Sequence, residues 1–179
     1  FPRYEEFAQS FPNTIPFSES IGFMLDIDDV SDVDMTFFVT AHEVAHQWWG
    51  MQVETGNVQG RNFVLETLSQ YSALMVFKKR FSQTKMDQFL ILQHELYEKG
   101  QQKSKVDEVP LHLVENEKYI YYNKGALVMY QLQELIGEAQ INLALQSFIR
   151  DWNTADGLVK SKTDRYATSE DLIGYILKA

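Results

Sequence analysis

Apolar residues recur at three- and four-residue steps through most of this chain, and where that period breaks the breaking residues are those that end helices. From about Asp34 to Trp49 the apolar spacing is helical, acids precede it and Gly50 stands where a helix would stop. A second helix is predicted from about Asn62 to Phe81, with Leu65, Leu68, Ser72, Met75 and Val76 forming a stripe and Lys78, Lys79 and Arg80 at its C-terminal end. A third runs from about Thr84 to Gly100, followed by a polar loop from Gln101 to Lys118 that contains Val109-Pro110. Two more helices are predicted over about Ile120 to Ile136, stopped by Gly137, and Glu138 to Trp152. A last one begins at Thr168, with Asp171 three residues on as a capping-box partner.

The first twenty residues carry all but one of the four prolines and read as irregular backbone. IGFMLDI, from Ile21 to Ile27, suits a strand, and a lone strand is unstable without partners. Nothing downstream looks like a sheet, so the partner strands are expected upstream of Phe1. The predicted fold is mainly α and a single domain: an irregular segment plus edge strand over residues 1–30, then helices over residues 31–179.

Composition narrows the function. With 179 residues, 45% of them hydrophobic, the chain can bury one sizeable core. A net charge of −9 repels polyanions, so nucleic acid is not an expected partner. The absence of cysteine removes disulfides, thiolate metal sites and a cysteine nucleophile, and leaves the compartment open. No apolar run approaches the ~20 residues needed to span a bilayer.

The chemistry is concentrated in the first long helix, where HEVAH places His42 and His46 four apart on one face. At that spacing two neutral imidazoles can reach one zinc ion, and Glu43 sits beside the metal where it can take a proton from water. A catalytic zinc site needs a third protein ligand. His94, His112 and downstream carboxylates are candidates, and Glu66 is the best placed, on a helical face whose neighbours Asn62, Ser69, Gln70 and Ala73 are polar or small.

At this point the chain resembles the aminopeptidase N family of gluzincin metallopeptidases. HEVAHQWWG is similar to that family's HExxH-Q-W-aromatic-G, and the family's glutamate ligand follows on the next helix after eighteen intervening residues; here Glu66 follows His46 after nineteen. The stretch before it, GNVQGRNFVL, departs from the family's acidic, tryptophan-rich pattern, so no partners of the histidines can be carried over. IYYNKGALVMYQL resembles a Y-E-K-G segment, which puts Tyr122 at the position of the oxyanion-stabilising tyrosine, with Asn123 in place of the glutamate. PFSESIGFM aligns with a G-A-M-E-N motif of which only Glu19 is retained, implying a role in binding the substrate's α-amino group.

The resemblance is closest to aminopeptidase-like domains fused to bacterial ABC-transporter permeases, in which this region would face outside the cytoplasm as part of a membrane-anchored protein. It implies the helical, zinc-carrying part of a thermolysin-like catalytic domain, cut off upstream. Zn²⁺ would be held by His42, His46 and Glu66, with Glu43 as general base, Tyr122 on the oxyanion and Glu19 anchoring the amino terminus of a peptide substrate. Trp48 and Trp49 are expected to pack the helix on the core. Two alternatives stand: an endopeptidase, if PFSES no longer binds an amine, and a catalytically silent zinc-stabilised domain of a transporter.

Overall fold

The structure is a computed structural model that describes residues 8–22, 33–154 and 165–179. Among these residues it is mainly helical, and the only β contacts are isolated bridges. A short helical turn, α1 (Glu19–Gly22), precedes α2 (Met35–Ala45), α3 (Leu68–Arg80), α4 (Gln83–Lys103), α5 (Gly125–Ile136), α6 (Glu138–Trp152) and α7 (Ser169–Ile176). The strand expected over residues 21–27 lies outside the described residues from position 23 onward, and Ile21 and Gly22 belong to α1 instead.

Local chemistry fixes the helix ends. Asp34 caps α2 by accepting the Phe37 N–H at 2.8 Å, and Ser82 caps α4 through the Lys85 N–H. After α2 the chain turns through Gly50 at φ 116°, which suits a glycine, and closes with a Gly50 N–H to Val53 carbonyl bond of 3.0 Å. Thr168 and Asp171 form the expected capping box at the start of α7.

Two helices depart from the regular pattern at their first turn. Phe63–Thr67 is a π-helical turn leading into α3, and Tyr119–Lys124 is another leading into α5. A π turn holds one residue more than the α turn it replaces and re-aims the side chains on it; such turns gather at functional sites.

The stripe expected on α3 is too narrow. Leu68, Tyr71, Ala73, Leu74 and Phe77 are buried, whereas Val76 is 48% exposed. The helix lies between α2 and α5 and so buries more of its circumference than a surface helix would. Its aromatic end joins Phe38, Phe77 and Phe89, with the Phe38 and Phe89 rings 4.3 Å apart, in one apolar cluster. The opposite end packs Trp49, Leu68, Tyr71, Met129, Phe148 and Leu172 in another. The tryptophan pair is divided: Trp49 is buried and donates its indole N–H to Ser72 Oγ at 2.9 Å, while Trp48 faces solvent.

Gly60 combines φ 81° with close approach, since a Cβ there would run into the His112 carbonyl and Ser169 Oγ. Gly60→Ala should therefore cost about 2 kcal/mol or more of stability. Thr168→Ala, which removes only a cap, should cost ~1 kcal/mol. Urea titration of both variants checks the ranking.

Candidate active site

His42 and His46 project from the last turn and cap of α2 toward the π turn that carries Glu66. The three donor atoms meet: His42 Nε2 and His46 Nε2 are 3.1 Å apart, and Glu66 Oε2 lies 3.4 Å from the first and 3.5 Å from the second. Four ligands held tetrahedrally at ~2.0–2.1 Å from one zinc ion lie ~3.3–3.4 Å from each other, so this triangle has the dimensions of one face of such a site. Glu66 Oε2 is buried and has no hydrogen-bond partner, a costly state for a carboxylate oxygen that a cation would relieve. The residues present fit a bound zinc ion.

His46 is held from behind. Its Nδ1 lies 3.0 Å from the Trp49 carbonyl, which can only accept, so Nδ1 carries the proton and Nε2 keeps its lone pair for the cleft. Ser69 Oγ stands 3.1 Å from the same nitrogen and anchors itself on the Leu65 carbonyl. His42 Nδ1, by contrast, is buried without a hydrogen-bond partner.

A cleft of about 610 Å³ opens over this cluster. Glu43, 7% exposed, lies on its wall, and Tyr122 closes another side with its ring centroid 5.8 Å from that of His42. The third wall is the N-terminal segment Ala8–Ser10. Gln47 fastens that segment, donating to Ser10 Oγ at 2.7 Å and to the Phe11 carbonyl at 3.0 Å while accepting the Asn13 N–H at 3.2 Å.

The charges are strongly coupled. Burial pushes the Glu43 carboxyl up, only partly offset by His42 and His46. Burial works against ionisation of Glu66 too, but the two histidine rings that face its carboxylate hold it well below the usual carboxylate range. For His46 burial favours the neutral ring, and the Glu66 carboxylate outweighs it and raises the pKa. Burial, and then Glu66, keep the Tyr122 phenol protonated far above its ordinary range, so it is a hydrogen-bond donor at neutral pH.

The other candidates lie elsewhere. His94 is on the exposed face of α4 beside Glu98, and His112 sits in a short turn where its carbonyl accepts from Ser169 Oγ. Glu19 is exposed on α1 and does not line the cleft. Sequence reasoning missed Ser10, Glu54 and Arg61, which do line it. Arg61 is held to Asn57 Oδ1 at 3.1 Å while its Nε has no hydrogen-bond partner. A basic residue five positions before Glu66, in a chain this acidic, is the signal that could have found it.

Comparison with known proteins agrees with this architecture. The Peptidase family M1 domain matches residues 13–164, most of the chain, and the protein belongs to that family. Over 121 residues the chain is 23% identical to endoplasmic reticulum aminopeptidase 2 of Homo sapiens; the match takes in 64% of this chain and 12% of that relative's length.

The raised Glu43 pKa has a consequence for stability without metal. A carboxyl that binds its proton more tightly folded than unfolded contributes most below the unfolded pKa, and that contribution is lost as pH rises through the folded value. At neutral pH ionised Glu43 therefore opposes folding of the metal-free protein. Metal-free Glu43→Gln should melt at a higher temperature than the parent at pH 7, and the gap should close below roughly pH 4. Calorimetry across that range decides it; equal melting temperatures throughout would contradict the coupling.

Proposed function

We propose that this chain carries the catalytic centre of a zinc-dependent peptide hydrolase of aminopeptidase type. The observation that carries the reading is the His42, His46 and Glu66 triangle meeting in one cleft with Glu43 and Tyr122. Membership of the M1 peptidase family supports it, as does the likeness to a protein named as an aminopeptidase.

When bound by these three side chains, zinc lowers the pKa of water toward ~7 and polarises the scissile carbonyl. The protein's own groups do the rest. A Glu43 carboxylate oxygen accepts the proton of the attacking water and passes it to the leaving amine, and burial tunes that carboxyl upward toward the range where it can do both. The Tyr122 hydroxyl donates to the oxygen on which negative charge develops. His46 Nδ1, tied to the Trp49 carbonyl, keeps the ring in the tautomer that presents Nε2 to the cleft.

An endopeptidase reading is favoured by one observation: Glu19, whose resemblance implied amine binding, does not line the cleft. The sequence likeness to peptidase-like domains fused to ABC-transporter permeases supports a further proposal, that the chain works on the extracytoplasmic side of such a membrane-anchored protein. Among the described residues no helix is long and apolar enough to cross a membrane, so the anchor would be supplied elsewhere.

The purified protein should bind about one zinc per chain, and His46→Ala should lose most of that affinity. Glu43→Gln should keep the metal while hydrolysis falls ~10²-fold or more, and Tyr122→Phe should lose about 10²-fold in kcat. Elemental analysis and turnover of aminoacyl reporters beside N-blocked, internally quenched peptides check these outcomes. Cleavage confined to the blocked peptides would select the endopeptidase. Zinc without turnover of either substrate would select the silent transporter domain.

A further inference from the structure

The two side chains proposed to work from outside α2, Glu66 on the metal and Tyr122 on the oxyanion, come from different π turns 56 residues apart in sequence, and nothing in either turn alone sets the distance between them. A buried hydrogen bond ties a side chain of the first turn to the backbone of the second. Thr67, 0% exposed and next to Glu66, donates its hydroxyl to the Tyr121 carbonyl, next to Tyr122, at 2.6 Å. Within the second turn the Gly125 N–H reaches back five residues to the Ile120 carbonyl, passing over the Tyr121 carbonyl that a regular helix would offer it. The Thr67 hydroxyl donates to that carbonyl instead.

Gly125 is shaped to the same contact. Its φ of −57° is ordinary helix, so conformational freedom does not call for glycine here. A Cβ at that position would lie 2.5 Å from Thr67 Oγ1 and 2.7 Å from Thr67 Cγ2, so the threonine fills the space glycine leaves. The outer side of the second turn is pinned separately, by Asn123 donating to the buried Gln93 Oε1 at 2.8 Å and by the Lys124 to Glu108 ion pair. Those contacts hold the turn to α4 and the following loop; the Thr67 bond alone among them ties it to the turn carrying Glu66.

We infer that Thr67 is a positioning residue that sets the register of the oxyanion-donor turn against the metal-ligand turn. It touches neither substrate nor metal and acts through Tyr122. The inference rests on the proposed role of Tyr122 for its effect on rate, but its structural content stands apart from that role. Thr67→Val keeps the branched shape and removes the donor, Thr67→Ser keeps the donor, and Thr67→Ala leaves room for water should the valine variant fail to fold.

Two measurements test it. In the metal-free protein, NOE cross-peaks between the His42 and Tyr122 rings, whose centroids are 5.8 Å apart, should be present in the parent and in Thr67→Ser. They should weaken or vanish in Thr67→Val or Thr67→Ala while the remaining amide spectrum is retained. In the zinc-loaded protein Thr67→Val should lower kcat roughly tenfold to a hundredfold with KM little changed. Adding it to Tyr122→Phe should cost almost nothing further. Unaltered ring cross-peaks in both the Val and Ala variants would overturn the inference whether or not the protein hydrolyses peptides. Full additivity with Tyr122→Phe would overturn it too. A parent with no turnover but with cross-peaks that depend on Thr67 would reject the proposed activity and leave the positioning role standing.

Discussion

The packing of α2 against α3 governs the rest of this molecule. Two histidines on one helix and a glutamate at the root of the next form a triangle with edges of 3.1 to 3.5 Å, and a shift of one helix along the other by a fraction of a turn would open it. The seam is therefore fixed at several levels. Trp49 buries its ring and hydrogen-bonds Ser72; Ser69, one turn earlier on α3, reaches His46; and the Phe38, Phe77 and Phe89 cluster closes the far end. Apolar burial gives the seam its strength and the two polar contacts give it its register, because burial is non-directional and hydrogen bonds are not.

That division of labour also explains the asymmetry between the two histidines. His46 follows the last residue of the helix, where the chain turns back, so a backbone carbonyl is within reach of its far nitrogen. His42 lies one turn inside the helix, where the carbonyls are taken by the helical ladder. Its Nδ1 is left with the packing of its neighbours, and its orientation depends on what Nε2 holds.

Much of this was legible in the sequence, and the parts that were not share a cause. The helices expected over about 34–49, 84–100 and 138–152 from apolar spacing and end signals are found as α2 (Met35–Ala45), which ends a turn early, α4 (Gln83–Lys103), which runs slightly longer, and α6 (Glu138–Trp152), and the capping box at Thr168 follows from four residues of sequence. His42, Glu43 and His46 are readable because their geometry lies within one helix. Glu66 and Tyr122 became readable through resemblance to a family, since contacts across elements leave no local period to detect. The same limit hid Arg61 and Ser10, whose roles as walls of the cleft depend on where other segments pass. The breadth of the buried face on α3 could not be read either, because a helix enclosed on two sides has no single stripe. Glu19, which its alignment placed near the amino terminus of a substrate, is exposed on α1, while Gln47 fastens the segment around Ser10, Phe11 and Asn13 beside the cleft.

The π turns bear on how such a chain can change length. Each one carries an extra residue within a helix, and at ~100° of rotation per residue a deletion that restored the regular turn would swing the side chains before it to another face of the helix relative to those after it. Nineteen residues separate His46 from Glu66, and the first π turn spans the end of that interval. The exposed stretch from Asn57 to Gln59 can gain or lose a residue by adjusting its path through solvent. The segments 63–67 and 119–124 cannot, so descendants of this sequence can vary in length on either side of the site but not through it.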